Sequence, residues 1–366
     1  MLTIVMAGGY GDGESGILRA MLEVRRAAAV DLVEKLAGES SFQVVVVSDD
    51  HQVLAEARKL LCKAWDTSGG AFHWLNVVQD VVHAYARPDE DVLVLGGCAA
   101  PLLQAGALAE LAQSLANGEV WQNNRLSPDM VMWKPASVVS AVESCQNDNE
   151  FGYALERQAG LSVRFFPSDL GFRFDLDTPV DALLAAASFT CGPRLRKAVV
   201  NWGQQVPIER VRAVLHRSDY PDVALIGRVN PVEAERFGQG IGVRVRIFSE
   251  ERGMKALGRV ERGEVRSLLG SLVEAVGWKR FFELLGEQVQ CALFDTRVIL
   301  EHFGVRVSEE ERFAADLGWM EQVRNPFLRE LAQAALDAPI PVLMGGQSLV
   351  GGGLRLWMSL EDGEAS

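Results

Sequence analysis

In the stretch GFRFDLDTPVDALL two aspartates stand two positions apart, Asp175 and Asp177. Residues i and i+2 of a strand share a face, so the two carboxylates can converge on one hard cation. Carboxylates combined with substrate phosphates are what Mg2+ prefers, and a metal held that way neutralises charge on a transferring phosphoryl or nucleotidyl group. A plainer role fits the same residues. Thr178 is a good helix N-cap, Pro179 suits the first helical position, and Asp181 at the third complements the helix dipole. The two roles are compatible, because ligands of open α/β sheets bind at strand C-termini.

A second candidate lies near the N-terminus, where Gly8-Gly9-Tyr10-Gly11-Asp12-Gly13 follows an apolar run and precedes a helical one. Backbone N–H groups of Gly8, Gly9, Gly11 and Gly13 can approach a phosphate closely, with the following helix N-terminus and Arg19 adding positive charge. No Gly-Lys-Ser/Thr follows and the register is not GxGxxG, so an ordinary strand-to-helix connection is the competing reading. Asp12 and Glu14 repel a triphosphate unless a metal, or Arg19, Arg25 or Arg26, offsets them. A third group, Asn123, Asn124 and Arg125 with Asp129, is placed to reach the base, sugar or acceptor of a substrate.

Other chemistries find little support. The five histidines are scattered and neither HExxH nor GxSxG occurs, which disfavours a zinc hydrolase or an α/β-hydrolase triad. The five cysteines show no CxxC spacing and suggest neither a disulfide framework nor a zinc site. Arg259, Arg262 and Arg266 stand with Glu261 and Glu264 close to a helix start, a pattern better read as a solvated, mutually paired helix face than as an anion site. MGGQSLVGGG, residues 344–353, reads as a hairpin turn in preference to a phosphate nest.

The elements that must position these groups fall into two halves, as expected of 366 residues. A formal net charge of -13 argues against partners that are nucleic acid or anionic membrane, and no apolar stretch approaches the ~20 residues that span a bilayer. A cytoplasmic location is expected. Residues 1–195 alternate short β-rich apolar runs with helical ones, in the order β-α-β-α-α-β-α, and predict a mostly parallel sheet sandwiched by helices. HQVLAEARKLLCKA reads as helix throughout. A strand pair around Ser127-Pro128-Asp129 and a helix closed by Gly160 complete this unit. Residues 196–366 read as mainly helical with a few strands, DVALIGRVN and GVRVRIFSE among them. FFELLGEQVQCALFDTRVILEHFG reads as helix, and apolar surface on this half predicts a homodimer.

Taken together, TIVMAGG, DVLVLGGCAAPLL, FGYALERQAGLSV and FDLDTPVDALLA resemble corresponding segments of the nucleotide-diphospho-sugar-transferase-like (GT-A) nucleotidyltransferases. The nearest likeness is to the molybdenum-cofactor guanylyltransferase and phospholactate guanylyltransferase group. The resemblance covers the first ~190 residues and implies a Rossmann-like GT-A fold, a nucleotide or phosphorylated small-molecule ligand, and Mg2+ held by Asp175 and Asp177. Two departures stand out. The family's first loop carries a lysine that GYGDGESGILRAMLEV lacks, and its metal-binding aspartate after the third predicted strand is replaced by Gly96, Gly97 or Cys98. Either this is a divergent nucleotidyltransferase, or it is a catalytically degenerate relative acting in regulation or assembly.

Overall fold

A computed structural model describes residues 1–9, 16–125, 128–145, 148–255 and 257–362, with the side chains of 170, 361 and 362 excepted. Gly11, Gly13 and Ser127 lie outside the described residues. The chain folds as two compact units, the first of residues 1–9, 22–176 and 190–197, the second of 16–21, 177–189 and 198–362. Among the described residues, no helix is long and apolar enough to cross a membrane.

The first unit is a mixed α/β layer structure on a seven-stranded sheet. Its strands are β1 (Leu2–Met6), β2 (Gln43–Ser48), β3 (Lys63–Asp66), β4 (Val92–Gly96), β5 (Glu119–Gln122), β6 (Met130–Lys134) and β7 (Ser162–Phe165), ordered β3-β2-β1-β4-β6-β5-β7. All neighbours pair parallel except β6, which runs antiparallel to β4 and β5. Continuous Val/Leu runs suit the central strands, because helices bury both faces of a parallel sheet. Alternation then sorts the side chains. Val5, Val44, Val46, Leu93 and Leu95 join one core, while Leu2, Ile4, Val45, Val47, Val92 and Val94 join the other.

The expected β-α-β-α-α-β-α order needs one correction, since β3 begins inside the stretch read as a single helix. That helix ends at Lys59, and Leu61 takes φ 61, a left-handed turn that redirects the chain into an edge strand pairing with β2.

The second unit, although most of its residues outside turns are helical, is organised on a four-stranded parallel sheet. Its strands are β8 (Asp222–Gly227), β9 (Arg244–Ser249), β10 (Cys291–Asp295) and β11 (Val342–Gly345), ordered β11-β10-β8-β9. Two sequence expectations fail here. Cys291–Asp295 is a strand buried at every position, not helix, and a fully buried run carries no periodicity to tell strand from helix. The 344–353 segment is no hairpin turn: β11 pairs parallel with β10, and the chain leaves it through a 3-10 turn at Ser348–Val350 into the helix Gly353–Asp362. The arginine-rich stretch is paired as expected, Arg259 with Glu251 and Arg262 with Glu264, but it is no helix face: residues 257–263 are turns and the helix begins only at Leu268.

The chain passes from β8 to β9 on one side and then returns to β10 on the other, so the order reverses between β8 and β10. Asp295, fully buried, ends β10 at this switch point and accepts from Arg228 Nε at 2.6 Å, Arg228 NH2 at 3.0 Å, and the backbone N–H groups of Arg228 and Arg297 at 3.2 Å each. Beside it the guanidinium of Arg297 forks onto Asp316 at 2.7 and 3.3 Å. The helix Pro179–Ala187 opens as expected: Thr178 Oγ1 accepts from Asp181 N, and the Asp181 carboxyl accepts from Thr178 N.

Candidate functional site

At the C-terminal ends of β1, β2 and β4 the first unit opens into a cleft of about 860 Å³, within the range that holds small organic ligands. Beyond β1 the backbone stays tied to the sheet by Ala7 N to Val47 O at 2.8 Å, then turns through Gly8 and Gly9. Gly9, at φ +70, donates its N–H to Asp49 Oδ1 at 3.0 Å. A Cβ on Gly8 would stand 2.6 Å from that same oxygen, so any larger residue must displace the Asp49 carboxylate. Asp50, the residue after Asp49, caps the helix His51–Lys59 through Gln52 N and Val53 N and pairs with Arg26.

Polar and aromatic groups complete the walls. Thr67 and Ser68 follow β3, Phe72 and Trp74 flank the next helix start, and Gly96 ends β4. The acidic lining is Asp49, Asp129, Glu143 and Asp148, with His73 and Cys145 beside them and no lysine or arginine among the described lining residues. A free triphosphate meets net repulsion on such a surface, whereas a base and ribose find hydroxyls, backbone amides and aromatic faces.

Of the residues anticipated from sequence, Gly8, Gly9 and Asp129 line this cleft. Asn123 does not: it is buried, its Oδ1 accepting from Asp129 N at 3.0 Å and Met130 N at 3.2 Å while Nδ2 donates to Phe172 O, so it holds the turn between β5 and β6. Asn124 and Arg125 are exposed, and Arg125 lines a separate hollow. Asp175 is half-buried with Oδ1 accepting from Leu176 N at 2.8 Å, and that same N–H reaches Cys98 O at 3.3 Å. The loop after β4 and the backbone following Asp175 therefore meet, and the segment Gly96-Gly97-Cys98 brings no carboxylate there. Arg19 and Asp177 are exposed residues of the second unit, and Asp177 N donates to Asp181 Oδ2 at 3.2 Å as part of the helix cap. Among the described residues no group of three or more His, Cys, Asp or Glu is arranged to hold a metal ion.

Sequence reasoning missed Thr67, Ser68, Phe72, Trp74, Glu143 and Asp148 as lining residues. The acid-acid pair Asp49-Asp50 after a valine strand was the visible signal for this end of the sheet.

No family model matches the chain, and no curated protein matches it. Solved structures do. A cytidylyltransferase from Leptospira borgpetersenii serovar Hardjo-bovis is 14% identical over 54% of this chain and 92% of its own, with a TM-score of 0.38. A nucleotidyl transferase from Methanothermobacter thermautotroptrophicus is 13% identical over 50% of this chain and 94% of its own, at TM-score 0.37. A 4-diphosphocytidyl-2C-methyl-D-erythritol synthase is 14% identical over 50% of this chain and 94% of its own, at TM-score 0.36. Each similarity spans about half of this chain.

Proposed function

We propose that the first unit binds a nucleotide or sugar phosphate in the cleft at the C-terminal edge of its seven-stranded sheet, as a divergent nucleotidyltransferase-like protein. The observation carrying this reading is the ligand-sized cleft at the C-terminal ends of β1, β2 and β4, lined by Gly8, Gly9, Asp49, Thr67, Ser68 and Trp74. Asp175 and Asp177 do not fit a resident Mg2+. The two residues stand outside every strand, so the shared strand face that would converge their carboxylates is not formed, and among the described residues no third acidic, His or Cys group joins them to hold a metal ion. A Mg2+ arriving on the ligand's phosphates has Asp49 and Asp129 to meet, since such an ion needs only one or two carboxylates besides phosphate oxygens. The chain's own residues orient the base and ribose and shield them from water, and no transfer step is assigned to them.

Titration calorimetry of GTP, CTP and ATP, each with and without Mg2+, tests this. Binding is expected only with Mg2+, and Gly8→Ala should weaken it about tenfold by forcing the Asp49 carboxylate out of place. Absence of heat with all three nucleotides in both conditions would remove the reading.

A second reading, a regulatory or assembly protein, draws support from the helix Leu268–Gly286. Leu268, Leu272 and Val276 form a stripe at i, i+4 and i+8 that is 80%, 37% and 37% exposed. A second copy of the chain is the expected occupant. Sedimentation should show a dimer that Leu268→Ser dissociates, and a monomer at all micromolar concentrations would count against it.

A further inference from the structure

The sheet of the second unit has an open edge. Its outermost strand there is β9, whose residues Arg244, Arg246, Ile247 and Ser249 are exposed. Arg244 N donates to Pro221 O and Glu250 N to Gly227 O, so alternation along the strand turns the backbone groups of Arg244, Arg246 and Phe248 toward β8. The N–H and C=O groups of Val245, Ile247 and Ser249 therefore point away from the sheet. Such a row is a template for a further strand, and charged side chains on an edge ordinarily keep copies of a chain apart. Here the arginines are already balanced, because Asp222 pairs with Arg244 at 2.7 Å and with Arg246 at 3.5 Å.

We infer that β9 pairs with β9 of a second copy of the chain, antiparallel across a two-fold axis at Ile247, so that the two four-stranded sheets become one. Such pairing rests on the dimer reading above and names the surface through which the copies join. Register decides the match. Centred on Ile247, the outward groups of Ile247 bond the partner's Ile247 and those of Val245 bond the partner's Ser249, which leaves none of them open. Arg244 then stands opposite the partner's Glu250, and Arg246 opposite the partner's Phe248, a charge pair and a cation against a ring. Glu250 is suited to this, since among the described residues no cation pairs with it and its carboxylate accepts only from Ser267 Oγ and Leu268 N. Centring on Arg246 would instead oppose two arginines. Centring on Phe248 would set Val245 against Glu251, whose φ of 54 takes it out of the strand. Ile247, 44% exposed, lies on the axis and covers its counterpart. The stripe Leu268, Leu272 and Val276 begins beside this edge, because Leu268 N donates to Glu250 Oε1 at 2.7 Å just past β9.

Sedimentation of the full chain should show a wild-type dimer, and Ile247→Lys, which sets two ammonium groups together at the axis, should weaken it about a hundredfold. Ile247→Pro should act likewise, since it removes an N–H that β8 does not use. Cross-linking reads the register. Ile247→Cys treated with a short bismaleimide should yield covalent dimers, its Cα atoms lying roughly 5.5 Å apart across the pair. Val245→Cys, about 14 Å from its own copy in this register, should yield no more than the wild type with its five cysteines. A dimer that Ile247→Lys leaves intact, or cross-linking of Val245→Cys as readily as Ile247→Cys, overturns the edge pairing while the dimer reading stands. A wild type that is monomeric at all micromolar concentrations overturns both.

Discussion

Replacing Asp295 by alanine is expected to destabilise the second unit by about 3–5 kcal/mol, the cost of removing one partner from a buried ion pair and leaving the other charged and unsolvated. Asp295 is fully buried and satisfies four donors at once, two from the Arg228 guanidinium and two from backbone. Arg228 is itself only 12% exposed, so its charge cannot simply swing into water. The position also admits no easy repacking, because Gly227, at φ +109, lies so near that a Cβ there would be 2.6 Å from Asp295 O. Asp295→Asn should cost less, since one oxygen still accepts while the new amide meets the guanidinium unfavourably. Arg228→Met combined with Asp295→Leu should recover part of the loss, as apolar isosteres often match a buried pair. Hydrogen exchange read on peptides covering β8 and β10 reports this unit separately, whereas tryptophans occur in both units and blur the signal. Unchanged protection of those peptides in Asp295→Ala would show the pair to be energetically idle.

The same ion pair marks where the sequence was silent. CALFDTRV reads as a continuation of the preceding helix because all five strand residues are buried and none alternates with a polar one. Its aspartate finds its arginine only through the β8–β10 pairing, 67 residues away in the chain. In the first unit the strands β1, β2 and β4 were legible, since β-branched and leucine runs that end in glycine after β1 and β4 and in Asp49-Asp50 after β2 leave few alternatives. The cap at Thr178-Pro179 was legible too, because capping is a local affair of four residues. The site was half legible. Gly8, Gly9 and Asp129 belong to its cleft, but Asn123 turned inward to hold a turn, and Arg125 faces another hollow. Polar residues in a loop look alike in sequence, and only the hydrogen bonds of β5 and β6 decide which of them faces a ligand.

Asp181→Asn is expected to remove a pH dependence of stability rather than to weaken the fold. Asp181 is completely buried, and that burial, reinforced by the neighbouring Asp177 carboxylate, pushes its carboxyl from the ordinary 3.8 up to about 8. Its Oδ2 already accepts from Thr178 N at 2.7 Å, Asp177 N at 3.2 Å and Thr178 Oγ1 at 2.9 Å, while Oδ1 has no partner. Arg297 lies within Coulombic reach, but its guanidinium is committed to Asp316. The helix dipole at this third position favours an anion by about 0.3–1 kcal/mol, too little to offset full desolvation. Between pH 4 and pH 8 the folded chain therefore holds a proton that the unfolded chain has released. Because the folded value is raised, the stabilisation is complete below the unfolded value and is lost as pH rises toward 8, at up to about 1.4 kcal/mol per pH unit for one proton. Asparagine keeps an acceptor for the three donors and places an amide where Oδ1 stands, mimicking the protonated acid at every pH. Urea midpoints measured at pH 5, 6, 7 and 8 should fall for the wild type and stay level for Asp181→Asn, with the variant the more stable at pH 8. Asp177→Asn should flatten the slope only in part, because desolvation and not that charge is the larger cause. Parallel curves for wild type and Asp181→Asn would mean that the carboxyl is already ionised in the folded state, and that a donor to Oδ1 must then be found among its neighbours.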